Sequence, residues 1–139
     1  MGFSKAQNLE DGSLNRLTFN LSNSGVGPAI VTDVRIKYKG KVATDWWHLF
    51  ELQEIPDSIE TYIGNQAING QIVKIGEALV VLNLDHNLPL ANAFFHKLDG
   101  LEIGLYYESI YGEVWKYDGE TTEKMENFTG VPDEEQFDG

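Results

Sequence analysis

An antiparallel β-sandwich with two short helical inserts is the architecture that this mainly β chain predicts, and three observations carry the prediction. Apolar residues take alternate positions at Leu17, Phe19 and Leu21, again at Ile30, Val34, Ile36 and Tyr38, and again at Leu101, Ile103, Leu105 and Tyr107. That is the period of a strand with one buried face. Gly, Pro and Asn corners separate these stretches, without the regular strand-helix alternation that builds a parallel sheet. The chain has 139 residues and no cysteine, and that length buries a core without disulfide or metal.

The elements follow in order. Residues 1–13, polar and rich in turn formers, form a lead-in segment ahead of the sandwich, which spans 14–119. Two strands over 14–23 and 29–39 flank the corner Asn23-Ser24-Gly25-Val26-Gly27-Pro28-Ala29 and are expected to make the opening hairpin. Thr44 or Asp45 then caps a short helix whose apolar side is Trp46, Leu49 and Phe50, and Pro56 stops it. A short strand over 59–63 follows, then two apolar runs over 68–75 and 78–84 divided by Gly76-Glu77. The second run is apolar on both faces and suits a central strand. Pro89 opens a second short helix over 89–98, and Asp99-Gly100 closes it. The strand over 101–108 turns at 109–112 into 113–117 and completes a hairpin. Phe19, Val34, Ile36, Leu82, Ile103 and Leu105 are the expected core. Residues 120–139, Glu-, Asp- and Gly-rich with Phe128, Val131 and Phe137 isolated, are expected to be a disordered acidic tail.

Charge narrows the partners. The chain carries 22 acids and 10 bases, a net charge of −12. From residue 118 on, eight acids face one base, Lys124, so −7 lies there and −5 in the body. Such a chain repels nucleic acid and anionic membrane surfaces. With no apolar run of about 18 residues and no signal-peptide pattern at its start, membrane attachment is expected only through an anchor outside these residues. Met1-Gly2 is followed by Ala6 where an N-myristoylation signal wants Ser or Thr.

Candidate chemistry is sparse. His48, His86 and His96 lack the spacing of a helical zinc site. Asn83-x-Asp85-x-Asn87 starts like a calcium loop, but Leu88 replaces its Gly and Phe94 its bidentate Glu; turn capping is the expectation. Ser24 lacks the G-x-S-x-G elbow of a nucleophile. Glu102, Glu108 and Glu113 lie on neighbouring strands, as acidic β proteins commonly arrange them and as two-carboxylate hydrolysis also requires. Arg35, Lys37, Lys39 and Lys41 form an alternating basic stripe, either a solvated face that discourages edge pairing or a seat for an anionic partner or an acidic tail. No catalytic residue, metal site or cofactor is expected.

Aromatic residues are the strongest signal. Trp46 and Trp47 form one cluster, and Tyr106, Tyr111, Trp115 and Tyr117 a second. If Tyr107 faces in, Tyr106, Trp115 and Tyr117 share the outer face of the last hairpin and form a candidate ligand-binding row for a protein or a glycan. The competing expectation is that the Trp46-Trp47 helix lies over an open end of the sandwich and Trp115 packs beneath it.

The order of an apolar strand, Asn23-x-Gly25-x-Gly27-Pro28-Ala29, a strand, Gly40-Lys41, and Ile75-Gly76-Glu77-Ala78 entering a later strand resembles CARDB-like and related immunoglobulin-like domains of bacterial surface and periplasmic proteins. The resemblance covers about half the chain and rests on turn residues; at the last hairpin Tyr106-Tyr107-Glu108-Ser109-Ile110-Tyr111 stands in place of the family's Asn-containing run. It implies an immunoglobulin-like, extracytoplasmic module of a membrane-anchored bacterial protein, non-catalytic, serving binding or spacing. The alternative is a carbohydrate-binding or enzyme accessory domain using the aromatic face; a third is a cytoplasmic phage or assembly protein. Ligand and oligomeric state have no signature in the sequence.

Overall fold

The computed structural model of the chain describes the backbone of residues 2–10, 13–23 and 27–139, and side chains from residue 17 onward outside 24–26. Along the chain the elements are β1 (Gly2–Glu10), β2 (Ser13–Ser22), β3 (Ala29–Tyr38), β4 (Lys41–Ala43), α1 (Trp46–Leu52), β5 (Gly64–Asn65), β6 (Ile72–Val73), β7 (Ala78–Asn83), α2 (Leu88–Phe95), β8 (Leu101–Ser109), β9 (Val114–Tyr117) and β10 (Thr122–Met125). One sheet has the order β1-β2-β7-β5 and the other β10-β9-β8-β3-β4, with β6 also on β3. All the pairings are antiparallel, and the two sheets pack as a β-sandwich.

The core fills the space between the sheets. Phe19, Val34, Ile36, Leu82 and Leu105 are buried as the alternation requires, and Ile103 is half-buried against them. The first helix starts at the expected Asp45 cap, whereas the second, expected over 89–98 with its exit at Asp99-Gly100, runs over Leu88–Phe95 between Asn87 and His96. The Asp45 carboxylate accepts from the His48 N–H at 2.7 Å and starts α1, and the Asn87 side chain accepts from the Leu90 N–H at 3.3 Å and starts α2. Their buried faces, Trp46, Leu49 and Phe50 on α1 and Leu90, Ala91 and Phe94 on α2, close over the core.

Four sequence expectations change. First, β2 and β3 do not form a hairpin; they lie in different sheets. Phe19 on β2 pairs with Leu82 on β7, while Ile36 on β3 pairs with Ile103 on β8, so the two apolar faces meet across the sandwich instead of side by side. The buried Asn23 amide holds the crossing, donating to the Gly27 and Val73 carbonyls at 2.9 and 2.8 Å. Residues 24–26 of this corner lie outside the described residues. The tight hairpin is β3-β4, where Lys39 and Gly40 both have positive φ, 49° and 83°, as a two-residue turn of right-handed strands requires.

Second, the lead-in of 1–13 is not separate from the sandwich: residues 2–10 are β1, paired along β2 from Gly2↔Ser22 to Glu10↔Ser13. Backbone donors and acceptors make that ladder, so a polar sequence does not prevent it. Third, 59–63 is a tied loop rather than a strand, and of 68–75 only Ile72–Val73 is strand. The Asn87 Nδ2 group donates to the Glu60 and Tyr62 carbonyls at 2.8 and 3.0 Å, and Trp47 Nε1 donates to the Thr61 carbonyl at 2.9 Å. Asn87 thus caps a helix and anchors a loop with one side chain. Asn87→Ala is expected to lower stability by about 2 kcal/mol in urea unfolding, roughly half from the cap and half from the two orphaned carbonyls. A loss under about 0.5 kcal/mol would show that water replaces both contacts.

Fourth, the acidic segment of 120–139 is not a disordered tail. It supplies β10, which pairs with β9, and Phe137 lies in the main core. The segment docks because β3 has an open stretch of edge between β6, which pairs with Ala29 and Ile30, and β4, which pairs with Ile36 to Tyr38. There Gln136 and Phe137 satisfy the backbone of Val34: Gln136 Oε1 accepts from the Val34 N–H at 3.2 Å and the Phe137 N–H donates to the Val34 carbonyl at 2.8 Å.

Candidate functional site

The β8-β9 register decides where the predicted aromatic row stands. Leu105 pairs with Tyr117, Tyr106 with Lys116 and Tyr107 with Trp115. Directly paired residues share a face, so Trp115 and Tyr117 lie with Leu105 and Tyr107 on the core side. Tyr106 lies with Lys116 on the other. The proposed row of Tyr106, Trp115 and Tyr117 is therefore split between two faces. Tyr117 is buried in the core and its hydroxyl donates to the Gly119 carbonyl at 2.9 Å. Tyr106 is covered by Phe128, stacked at 4.3 Å between centroids and 7° between planes. Trp46 is not a lid for Trp115; its ring meets Phe137 at 4.9 Å.

Trp115 is half-buried and lines a cleft of about 280 Å³ at one end of the sandwich. The floor is the core-side face of sheet β10-β9-β8-β3 where it runs on past Tyr117. Tyr107, Trp115, Pro28 and Ala29 make the apolar walls, and Ile110 and Tyr111 stand at the lip on the β8-β9 turn, 62% and 75% exposed. Ile110 packs beside Gly27, where an added Cβ would sit 3.4 Å from its Cδ1. The turn that holds the lip is closed by Ser109, whose N–H donates to the Glu113 carbonyl and whose carbonyl accepts from the Gly112 N–H.

Polar groups in the cleft are bonded to one another. The Tyr107 hydroxyl hydrogen-bonds the Thr122 side chain, and burial holds its acidity below that of an ordinary tyrosine, raising its pKa. The Glu113 carboxylate meets Lys124 Nζ at 3.0 Å, which with Glu126 nearby raises the Lys124 pKa. The Ser109 hydroxyl accepts from the Tyr111 N–H at 3.2 Å, and Asn23 is engaged with Gly27 and Val73. The cleft offers shape and apolar surface.

The other candidates disperse. Glu102 and Glu108 share the face of Tyr106, whereas Glu113 is on the side of Trp115, so the three carboxylates do not face one substrate position. Arg35 meets Glu135 at 3.9 Å, a contact of the kind that the second of the two readings of the basic stripe allows. Lys37 pairs across strands with Glu102. His48 Nδ1 accepts from the Thr44 N–H at 3.1 Å on α1, His86 precedes α2, and His96 caps its end. Among the described residues no three or more of His, Cys, Asp and Glu gather as a metal site would require. Asn83, Asp85 and Asn87 act as turn and cap groups: Asn83 Oδ1 accepts from the Asp85 N–H and Asp85 Oδ1 from the Leu17 N–H, both at 2.8 Å. Ser24 lies outside the described residues.

Tyr107, Pro28 and Ile110 are cleft residues that the sequence reading did not single out. The usable signal was parity: Trp115 and Tyr117 are two apart and Tyr117 pairs with a core Leu, so one buried residue fixes the side of both. Protein-family models, curated proteins and solved structures were each compared with the chain, and none matches.

Proposed function

We propose that the protein is a non-catalytic binding module that takes an apolar group of its partner into the Trp115 cleft. The observation that carries this reading is an open, aromatic-walled and mainly apolar cleft on the core-side face of the sheet. Such concave apolar sites with a few polar groups are the usual seats of ligands. A non-catalytic role is supported by the pairing of Glu113 with Lys124 and by the dispersal of the other carboxylates and histidines. The resemblance of the Asn23 corner to CARDB-like domains supports an immunoglobulin-like variant of the sandwich and an extracytoplasmic setting in a bacterial envelope protein, where binding or spacing would be its task. A second reading, a carbohydrate-binding or accessory domain, draws on the Trp115 and Tyr107 rings, since sugars stack on such faces.

The test is a screen of peptides and oligosaccharides by heteronuclear NMR on the full chain, followed by Trp115→Ala. Ligands should perturb Trp115, Tyr107 and Ile110 together, and Trp115→Ala should weaken binding about tenfold, the equivalent of one aromatic contact near the upper end of its range. Unchanged affinity in that variant would reject the cleft, and turnover of any glycan would move the protein to the enzymes.

A further inference from the structure

Resting on the cleft as the binding site, we propose that its partner is a cationic segment of another protein that inserts one branched or aromatic side chain between Trp115, Tyr107 and Pro28. Three observations lead there. The first is size. A volume of about 280 Å³ falls just under the usual range of small-molecule pockets, roughly 300 to 1,000 Å³, and suits a single large side chain. It corresponds to the liquid volume of about nine waters, which the apolar walls hold poorly and which an apolar group displaces with gain.

The second is hydrogen-bond accounting. The Tyr107, Thr122, Ser109, Glu113 and Asn23 side chains at the cleft are already bonded within the chain. A sugar entering here would lose water from its hydroxyls and find few free partners, at a cost of about 1 to 3 kcal/mol for each unpaired group. An apolar side chain carries no such penalty, and this chemistry favours a protein segment over a glycan.

The third is charge. Glu113 lines the cleft, Glu108 reaches the turn at its lip, with Oε1 3.9 Å from a Cβ placed on Gly112, and Glu126 lies in the field of Lys124. Two carboxylates, Glu113 and Glu126, thus face one ammonium, Lys124. Nearby, Glu77 is turned back on the Lys74 N–H, and Lys74 and Glu77 balance each other. The rim is net negative within a chain of net charge −12. A partner with Lys or Arg beside its anchor is drawn in, while a second copy of this chain, whose exposed Ile110 and Tyr111 also have the size to enter the cleft, is repelled by its own charge.

The test uses the full chain to select from a displayed library of random peptides of about 12 residues, long enough to span about 40 Å extended. The expected binders carry one Phe, Leu, Ile or Met anchor with Lys or Arg close by. Their affinity should fall at least tenfold in Trp115→Ala, and at least threefold between about 50 and 500 mM NaCl as screening shortens the reach of the rim charges. Tyr111→Lys, at an exposed turn position that does not threaten folding, should weaken the same peptides and guards against a misfolded Trp115 variant. Trp115-dependent binders with neutral or acidic flanks, or with salt-independent affinity, would overturn the cationic partner while leaving the cleft as the site. Trp115-dependent binding of an oligosaccharide in place of peptides, or concentration-dependent dimerisation through Tyr111, would do the same. Absence of any Trp115- or Tyr111-dependent binder would overturn both this inference and the cleft.

Discussion

Phe137→Ala is expected to destabilise the protein by about 3 to 5 kcal/mol, the range for emptying a fully buried aromatic site, although the residue lies within an acidic segment. Its side chain is 1% exposed, and its ring meets the edge of Trp46 at 4.9 Å and 80°. The backbone around it is fixed as well, by Phe137 N–H to Val34 carbonyl at 2.8 Å and Asp138 N–H to Thr44 carbonyl at 2.7 Å. Gln136 adds its side-chain contacts to Val34 and to the Asp33 carboxylate, which also accepts from the Val131 N–H. Removing 126–139 altogether should therefore match or exceed the single substitution. For a chain of this size each kcal/mol moves the midpoint by roughly 3 to 5 °C, so thermal unfolding should shift by on the order of 10 °C or more. Phe128→Ala, which loses only a stack on the outer face of Tyr106, should cost about 1 kcal/mol. Equal small effects from Phe128→Ala and Phe137→Ala would mean that the segment does not serve as core.

The contrast between this segment and the rest shows what kind of information a sequence carries. Leu17, Phe19 and Leu21, or Leu101, Ile103 and Leu105, announce a strand because a sheet face buries every second residue over several positions. Asp45 announces a helix because only a few side chains satisfy free N–H groups at a helix start, and Pro89 announces the other because its fixed φ suits a first turn. Phe137 has no such accompaniment. A single aromatic among acids has no period, and its socket is an edge gap of β3 created by where β4 and β6 happen to end. That gap is a property of the assembled sheet.

Corners and registers were less legible for related reasons. The Gly and Pro residues of 23–29 mark a reversal, but the same residue types serve a hairpin and a crossing between sheets; the choice is made by which faces must meet. In the candidate site the aromatic residues were visible and their sides were not. One residue more or less in the turn after Ser109 exchanges the faces of β9, and with Leu105 opposite Tyr117 the result places Trp115 inside the cleft and leaves Tyr106 under Phe128. The chemistry of Trp115 was therefore legible, and its companions Tyr107 and Pro28 followed only from the pairing.

Phe94→Ala is the second substitution expected to have a large effect, about 3 to 5 kcal/mol in urea unfolding. Phe94 is completely buried and is the joint of three elements. Its ring stands edge-on to Phe19 of β2 at 5.6 Å and 75° and to Phe50 of α1 at 5.7 Å and 81°. Phe94 thus ties α2 to both β2 and α1 through its ring. Edge-to-face pairs add about 0.5 to 1.5 kcal/mol each beyond the area they bury. Truncation thus removes two pair terms together with the transfer term and leaves a cavity that two helices and a strand must collapse to fill. Phe94→Leu keeps most of the volume and loses the ring geometry, so it should cost distinctly less, about 1 to 2 kcal/mol. A double-mutant cycle with Phe50→Ala isolates the contact between the helices, and a coupling of about 0.5 to 1.5 kcal/mol is expected. A coupling near zero, with Phe94→Ala still strongly destabilising, would assign the loss to cavity formation and to Phe19, and would mean that α1 docks independently of α2.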